Sequence, residues 1–344
     1  MTPRVVLVTG VGGYLGGHLA ARLAANPAVH RVLGVDTVPP HPGVREAVRE
    51  LARVEFVRAD IRNPLIAKVI TEAEVDTVVH AALTANPPGP TRRSAVKELN
   101  VLGAMQLLAA CQRAPSVRAL VVKSTAAVYG AGARHPAVLT EDTPPHGIAA
   151  NGYAKDAVEV EDYVRGFARR RPDVAVTVLR LANLIGPDVD TVLTRYFALP
   201  VVPTVLGYDA RIQLLHSADA LAVLERAATR TAPGVFNAGA DGVLMLSQAI
   251  RRAGRLAFPV PRAAIPTAGR FLRGARLVDF SEDHLRYLNH GRVLDTTRLR
   301  AEFGFTPRWT TRQAFDDYVH GSGLRPVISP GLIGGLERGL VGTR

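Results

Sequence analysis

Val5-Val6-Leu7-Val8-Thr9-Gly10-Val11-Gly12-Gly13-Tyr14-Leu15-Gly16 decides the fold. The first four residues form an unbroken aliphatic run, the pattern of a strand buried on both faces. Glycines follow at once. Gly10 permits a tight turn, Gly13 lets the backbone approach a pyrophosphate, and Gly16 lets the next helix pack close against the strand. A helical pattern runs from Gly16 to Ala25, just past Tyr14 and Leu15, so its free N–H groups and positive dipole end face the same turn. Glycine spacing alone is a weak signal. Here a strand precedes it, a helix follows, and Asp36 closes the next apolar run, which together mark a dinucleotide-binding turn. An acid at that strand end hydrogen-bonds the adenosine ribose and repels a 2′-phosphate, so Asp36 favours NAD(H) over NADP(H). The choice stays open, because Arg45, Arg49 or Arg62 could fold back onto a phosphate.

Outward from this turn, strand-like and helix-like segments alternate. Residues 31–36, 54–57, 75–80, 119–124 and 174–180 read as further strands, with a helix near 100–112. Apolar strands separated by helices predict an α/β fold of Rossmann type, a doubly wound parallel sheet. Beyond residue 183 prolines break the pattern into short pieces. Residues 1–183 therefore read as the nucleotide-binding domain, with segments near 210–230 and 288–300 returning to it. Residues 184–320 read mostly as a smaller C-terminal substrate-binding lobe, and 321–344 as a Gly- and Pro-rich tail.

The formal charge of +12 comes almost wholly from arginine, the lysines being Lys68, Lys97, Lys123 and Lys155. The arginines are scattered rather than gathered on one element, which argues against a nucleic-acid binder. No apolar run reaches a membrane span, and the first strand begins directly after the N-terminus, so neither a membrane association nor a signal peptide is expected. Cys111 is the single cysteine, which rules out an internal disulfide and makes a reducing cytoplasm the expected location, with Cys111 a buried helix residue. No metal site is expected.

Several further motifs stand along the chain. They are Asp60-Ile61, His80-Ala81-Ala82, Asn100-Val101-Leu102-Gly103, Ser124-Thr125-Ala126-Ala127-Val128-Tyr129-Gly130, Lys155 with Glu159, and Arg180-Leu181-Ala182-Asn183 through Gly186-Pro187. With the glycine turn they resemble the extended short-chain dehydrogenase/reductases, the NDP-sugar epimerase and dehydratase group, over about residues 4 to 320. The resemblance implies that Gly10, Gly13, Tyr14, Leu15 and Gly16 cradle the pyrophosphate, and that Asp36, Asp60 and Ile61 hold the adenosine. It implies Ala81, Ala82, Asn100 and Leu181 in the cofactor site and Lys155 on the nicotinamide ribose hydroxyls. Thr125, supported by Ser124, would hydrogen-bond the substrate oxygen. Thr84, Tyr153 and Asn183 would face the substrate. A homodimer through the helices flanking this segment is a further implication.

One departure governs the functional expectation. The family keeps Tyr-x-x-x-Lys, and counting back four from Lys155 gives Asn151. An amide can donate a hydrogen bond but cannot release a proton. Tyr153 is two residues from Lys155, rotated about 200° around a helix, and points to the other side unless the helix starts late. Dehydratases of this family use an Asp-Glu pair after the threonine, and Ala126 and Ala127 stand there, which argues against dehydration. Epimerisation needs the tyrosine as a base. Reduction tolerates its loss best, with the proton drawn from water or from an acidic substrate. The expected function is therefore an NAD(P)H-dependent ketoreductase acting on an aromatic polyketide ketone of angucyclinone type in antibiotic biosynthesis. The alternatives are a non-catalytic NAD(P)-binding regulator and an NDP-sugar epimerase. The last would need a nucleotide clamp, for which Arg195 and Arg211 are candidates, with Ile212 where many sugar enzymes carry arginine. Tyr129 and His216 read as structural, and Asp279-Phe280-Ser281-Glu282 as a surface turn, with a place on the substrate side as the alternative.

Overall fold

The computed structural model describes residues 4–40, 44, 54–85, 93–150, 152–261 and 281–327. Arg45, Arg49, Asn151, Asp279, Phe280 and most of the tail lie outside the described residues. Seven parallel strands form the main sheet: β1 (Arg4–Thr9), β2 (Val29–Asp36), β3 (Val54–Arg58), β4 (Thr77–His80), β5 (Ala119–Thr125), β6 (Ala175–Leu181) and β7 (Gly234–Ala238). Their spatial order is 3-2-1-4-5-6-7, so the winding direction reverses between β1 and β4. Every neighbouring pair is parallel. The expected doubly wound sheet is what the chain forms, and the crevice at the carboxyl ends of β1 and β4 is where such sheets take ligands.

The strands form where aliphatic residues run without interruption, and most of β1 and all of β4 are buried. Helices α1 (Tyr14–Ala25), α2 (Gly103–Arg113), α3 (Tyr153–Arg170) and α4 (Ser217–Thr229) cover the two faces. Leu19, Leu23, Leu107, Cys111, Val160, Phe167, Val223 and Leu224 join the strand side chains in one large core. Cys111 is buried as expected, which pushes its thiol up to about 12 and leaves it inert at neutral pH.

A second core gathers Ile185, Tyr196, Phe197, Ile212, Leu214, Ala249, Ile250, Tyr287, Phe315 and Tyr318. Helix α5 (Glu282–His290) and the short strand Gly291–Arg292 belong to this second lobe, the latter pairing with Arg211–Ile212. Leu215 and residues of α4, and later Leu294, Leu299 and Phe303, pack in the main core. Leu288 lies in the second core and Leu294 in the first.

A buried ion pair fixes α3 on the sheet. Arg180 of β6 donates to both carboxylate oxygens of Glu161, at 3.1, 3.2 and 2.7 Å, and to the Tyr129 hydroxyl and the Glu141 carbonyl, each at 2.8 Å. The Ser124 hydroxyl donates to Glu161 at 2.5 Å. A buried pair is tolerated only when its remaining hydrogen-bonding groups are matched in this way. Tyr153, Ala157, Val160, Glu161 and Val164 follow helical spacing along the inward side of α3. That side, set by Glu161, decides which residues reach the crevice.

Candidate active site

One cavity of about 560 Å³ runs along the carboxyl ends of the central strands and is closed on one side by α5. At its first end Gly10 has φ +79°, and a Cβ there would lie 2.6 Å from the Ala82 Cα. A Cβ on Gly16 would lie 2.1 Å from the Gly10 carbonyl oxygen. These two positions accept only glycine, because the loop after β4 and the first turn of α1 both press on the turn. Tyr14 and Leu15 line the cavity at the N-terminus of α1, where backbone N–H groups suit a phosphate.

Asp36 lines the same wall. Its carboxylate accepts from the Gly12 N–H at 3.0 Å and the Val38 N–H at 3.2 Å, which orients it towards the crevice. Asp60, Ile61 and Arg62 follow. Arg62 donates to Asp60 at 2.6 to 3.0 Å, and this hydrogen-bonded guanidinium holds the Asp60 carboxyl below its ordinary range. Arg62 is thus engaged by a carboxylate rather than extended towards Asp36.

At the other end Ala81, Ala82, Thr84, Leu181 and Asn183 line the cavity together with Thr125 and Tyr153. Helix α3 begins at Tyr153 and presents this residue to the cavity, against the helical-spacing expectation that it points away and in line with the substrate-facing place the resemblance implies. Burial pushes the phenol up to about 12; the Thr125 hydroxyl, by hydrogen bonding, and then the Arg292 guanidinium pull it down, while Asp156 raises it. A threonine hydroxyl and a tyrosine hydroxyl are therefore neighbours at the cavity floor.

Lys155 does not join them. It is exposed and is not among the residues lining the cavity. The correction has a simple physical source. The residue that enters the buried arginine pair is Glu161, and Glu159 instead meets Lys97 near the surface at 3.2 Å. The helix is therefore turned so that Tyr153 and Ala154, rather than Lys155, line the cavity, with Ala157 in the core. Ala157, four residues beyond Tyr153, is fully buried.

Two further expectations change. Ser124 lines the cavity beside Thr125, but its hydroxyl donates to Glu161 and so serves the buried network. Asn100 is buried and lies behind the cavity wall. Its amide accepts from the Thr84 N–H at 3.0 Å and donates to the Thr84 carbonyl at 2.9 Å and to Asp156 at 3.0 Å. It shapes the Thr84 loop rather than lining the cofactor-sized space. His216 stacks on Trp309 with ring centroids 4.3 Å apart and pairs with Asp317 at 3.0 Å, and Tyr129 is bound to Asn237 at 2.6 Å, so both are structural.

Sequence reading missed Lys123 and, apart from the segment holding Ser281, the second-lobe wall. Lys123 lines the cavity beside Thr125, and its ammonium donates to the Leu83 carbonyl. Burial brings it down to about 8. A lysine inside the run Leu120-Val121-Val122-Lys123 was the signal that could have found it. From the second lobe Ser281, Asp283, Tyr287 and Arg292 line the cavity, so Ser281 belongs to this wall as well as to the turn that caps α5. Arg292 lies 4.7 Å over the Tyr287 ring, its Nε is buried without a hydrogen-bond partner, and burial draws its guanidinium downward. Asp283 accepts from the Ala149 N–H at 3.0 Å and so ties α5 to the segment leading into α3. Arg195 is paired with Asp190 at 2.5 Å and Arg211 is exposed; neither lines the cavity.

The model of the NAD dependent epimerase/dehydratase family matches residues 6–239. Uncharacterized proteins of Mycobacterium tuberculosis and Mycobacterium bovis are 54% identical over 340 residues, covering 99% of this chain and 90% of theirs. A putative UDP-arabinose 4-epimerase of Arabidopsis thaliana is 33% identical over 193 residues, 53% of this chain and 42% of that protein. Among solved structures, a dTDP-glucose 4,6-dehydratase of Bacillus anthracis in complex with NAD superposes with TM-score 0.71 at 18% identity, covering 93% of this chain and 96% of that one. A UDP-glucose-4-epimerase of Stenotrophomonas maltophila with bound NAD and formylated UDP-arabinopyranose also reaches 0.71, at 21% identity over 93% and 98% of the two chains.

Proposed function

The chain belongs to the NAD dependent epimerase/dehydratase family, and from that premise we propose an NAD-dependent enzyme that moves hydride at a hydroxyl-bearing carbon of a nucleotide-sugar-like substrate, with Tyr153 as proton donor and acceptor. The observation that carries this reading is the Thr125–Tyr153 hydroxyl pair in the cavity. The glycine turn, Asp36 and the N-terminus of α1 form a cradle that fits a dinucleotide, and Asp36 favours one without a 2′-phosphate. A nicotinamide bound at the far end supplies the hydride acceptor or donor.

Thr125 would orient the substrate oxygen through a hydrogen bond. Tyr153 would exchange a proton with that oxygen, and Arg292 would stabilise the phenolate form when the proton leaves. Asn183, Tyr287 and Arg292 would contact the substrate from the opposite wall. The ketoreductase reading, in which an aromatic polyketide supplies its own proton, answered a missing acid. Tyr153 beside Thr125 makes that device unnecessary, so the oxidative start that epimerisation needs becomes available.

The test is direct. The purified protein is incubated with NAD and a panel of UDP- and dTDP-sugars, and separately with NADH or NADPH and phenolic polyketide ketones. Turnover of a nucleotide sugar that is lost in Tyr153→Phe supports the proposal. Reduction of a polyketide ketone that survives Tyr153→Phe would restore the substrate-assisted reading. Cofactor binding with no turnover in either panel would favour a regulator.

A further inference from the structure

Four residues beyond Tyr153, where a Tyr-x-x-x-Lys helix places its ammonium, stands the fully buried Ala157. The helix's own lysine, Lys155, is exposed. The wall that should meet the nicotinamide ribose is therefore without a cation from α3. Among the described residues three long-chain cations line the cavity: Arg62, Lys123 and Arg292. Arg62 is held by Asp60 at the adenosine end. Arg292 approaches from the second lobe, above the Tyr287 ring. Lys123 remains. It lies two residues before Thr125 on β5 and so shares the cavity side of that strand.

We propose that Lys123 is the cofactor-holding lysine of this chain, gripping the nicotinamide ribose from the floor of the sheet in place of a lysine on α3. The ammonium donates to the Leu83 carbonyl, in the loop that begins with Ala81 and Ala82 and whose backbone touches Gly10. An ammonium has three donors, and one is used there, which leaves donors for ribose hydroxyls. No carboxylate pairs with Lys123 among the described residues. Beneath it His80 accepts or donates only through Nδ1 to Thr9 at 2.9 Å, and its Nε2 has no partner. A partly buried cation with no counter-charge is costly, and groups of this kind gather at functional sites. Tyr153 would keep its role as proton donor while the ribose grip moves from its own helix to β5. This inference rests on the reading of the cavity as a nicotinamide-dinucleotide site.

The experiment measures NADH and ADP binding, by NADH fluorescence and calorimetry, to the wild-type chain and to Lys123→Met and Lys155→Met. Melting temperatures are taken for all three. ADP carries the adenosine and pyrophosphate without the nicotinamide ribose. The expected result is NADH affinity at least 10-fold weaker in Lys123→Met, ADP affinity unchanged, and Lys155→Met indistinguishable from wild type. A Lys123→Met protein that folds and binds NADH normally overturns the inference, as does a loss confined to Lys155→Met. Equal loss of ADP and NADH binding also overturns it, since the damage would then be general. Wild-type protein that binds neither NADH nor NAD overturns the reading of the site itself.

Discussion

Tyr153 and Lys155 stand two residues apart on one helix and finish on different sides of it, one lining the cavity and one exposed. The chemistry follows from that rotation. Tyr153→Phe removes the proton and should lower turnover by about 10²–10⁴-fold with cofactor affinity unchanged, as read from kcat and NADH titration. Thr125→Ala should fall in the same direction, whereas Lys155→Ala should leave kcat near wild type. The glycine turn behaves differently, because its constraint is steric. Gly16→Ala places a methyl 2.1 Å from the Gly10 carbonyl, so backbone must move. It should cost about 1–3 kcal/mol in urea denaturation and also weaken NADH binding.

At the level of elements, the orientation of α3 rests on Glu161. The glutamate is nearly wholly buried and is matched by Arg180 and Ser124. Removing one partner of such a pair leaves the other charge buried and alone. Glu161→Ala should therefore destabilise by about 3–5 kcal/mol in denaturant melts, more than any surface pair such as Lys97–Glu159. The same substitution frees the helix to turn, so residual activity should drop beyond what unfolding explains. The turn between β1 and α1 was legible because its constraint is local: glycines, strand and helix are contiguous. The face of α3 was not. Lys155 and Glu159 share the spacing of Ala157 and Glu161, and only contact with Arg180 of β6 tells which set points inward.

For the whole molecule, two basic groups, His80 and Lys123, sit on the central strands β4 and β5. Burial, helped by the neighbouring Lys123 charge, pulls His80 down to about 4, and burial alone pulls Lys123 down to about 8. Both folded values are lowered relative to the unfolded chain, so in each window the unfolded state binds the extra proton. Stability should fall as pH drops from about 6.5 to about 4, by up to about 3 kcal/mol from His80, and His80→Phe should flatten that part of a chemical-denaturation profile. The main sheet, its parallel order and the dinucleotide turn were written in the sequence, because aliphatic runs and glycine spacing act between near neighbours in the chain. Cys111, Tyr129 and His216 were likewise legible as structural. Which hydroxyl and which cation reach the cavity was decided only by the tertiary structure. Tyr153, Lys123 and Arg292 come from three separate elements, and their meeting depends on how α3 is clamped to β6 and how α5 closes over the sheet, contacts between residues far apart in sequence.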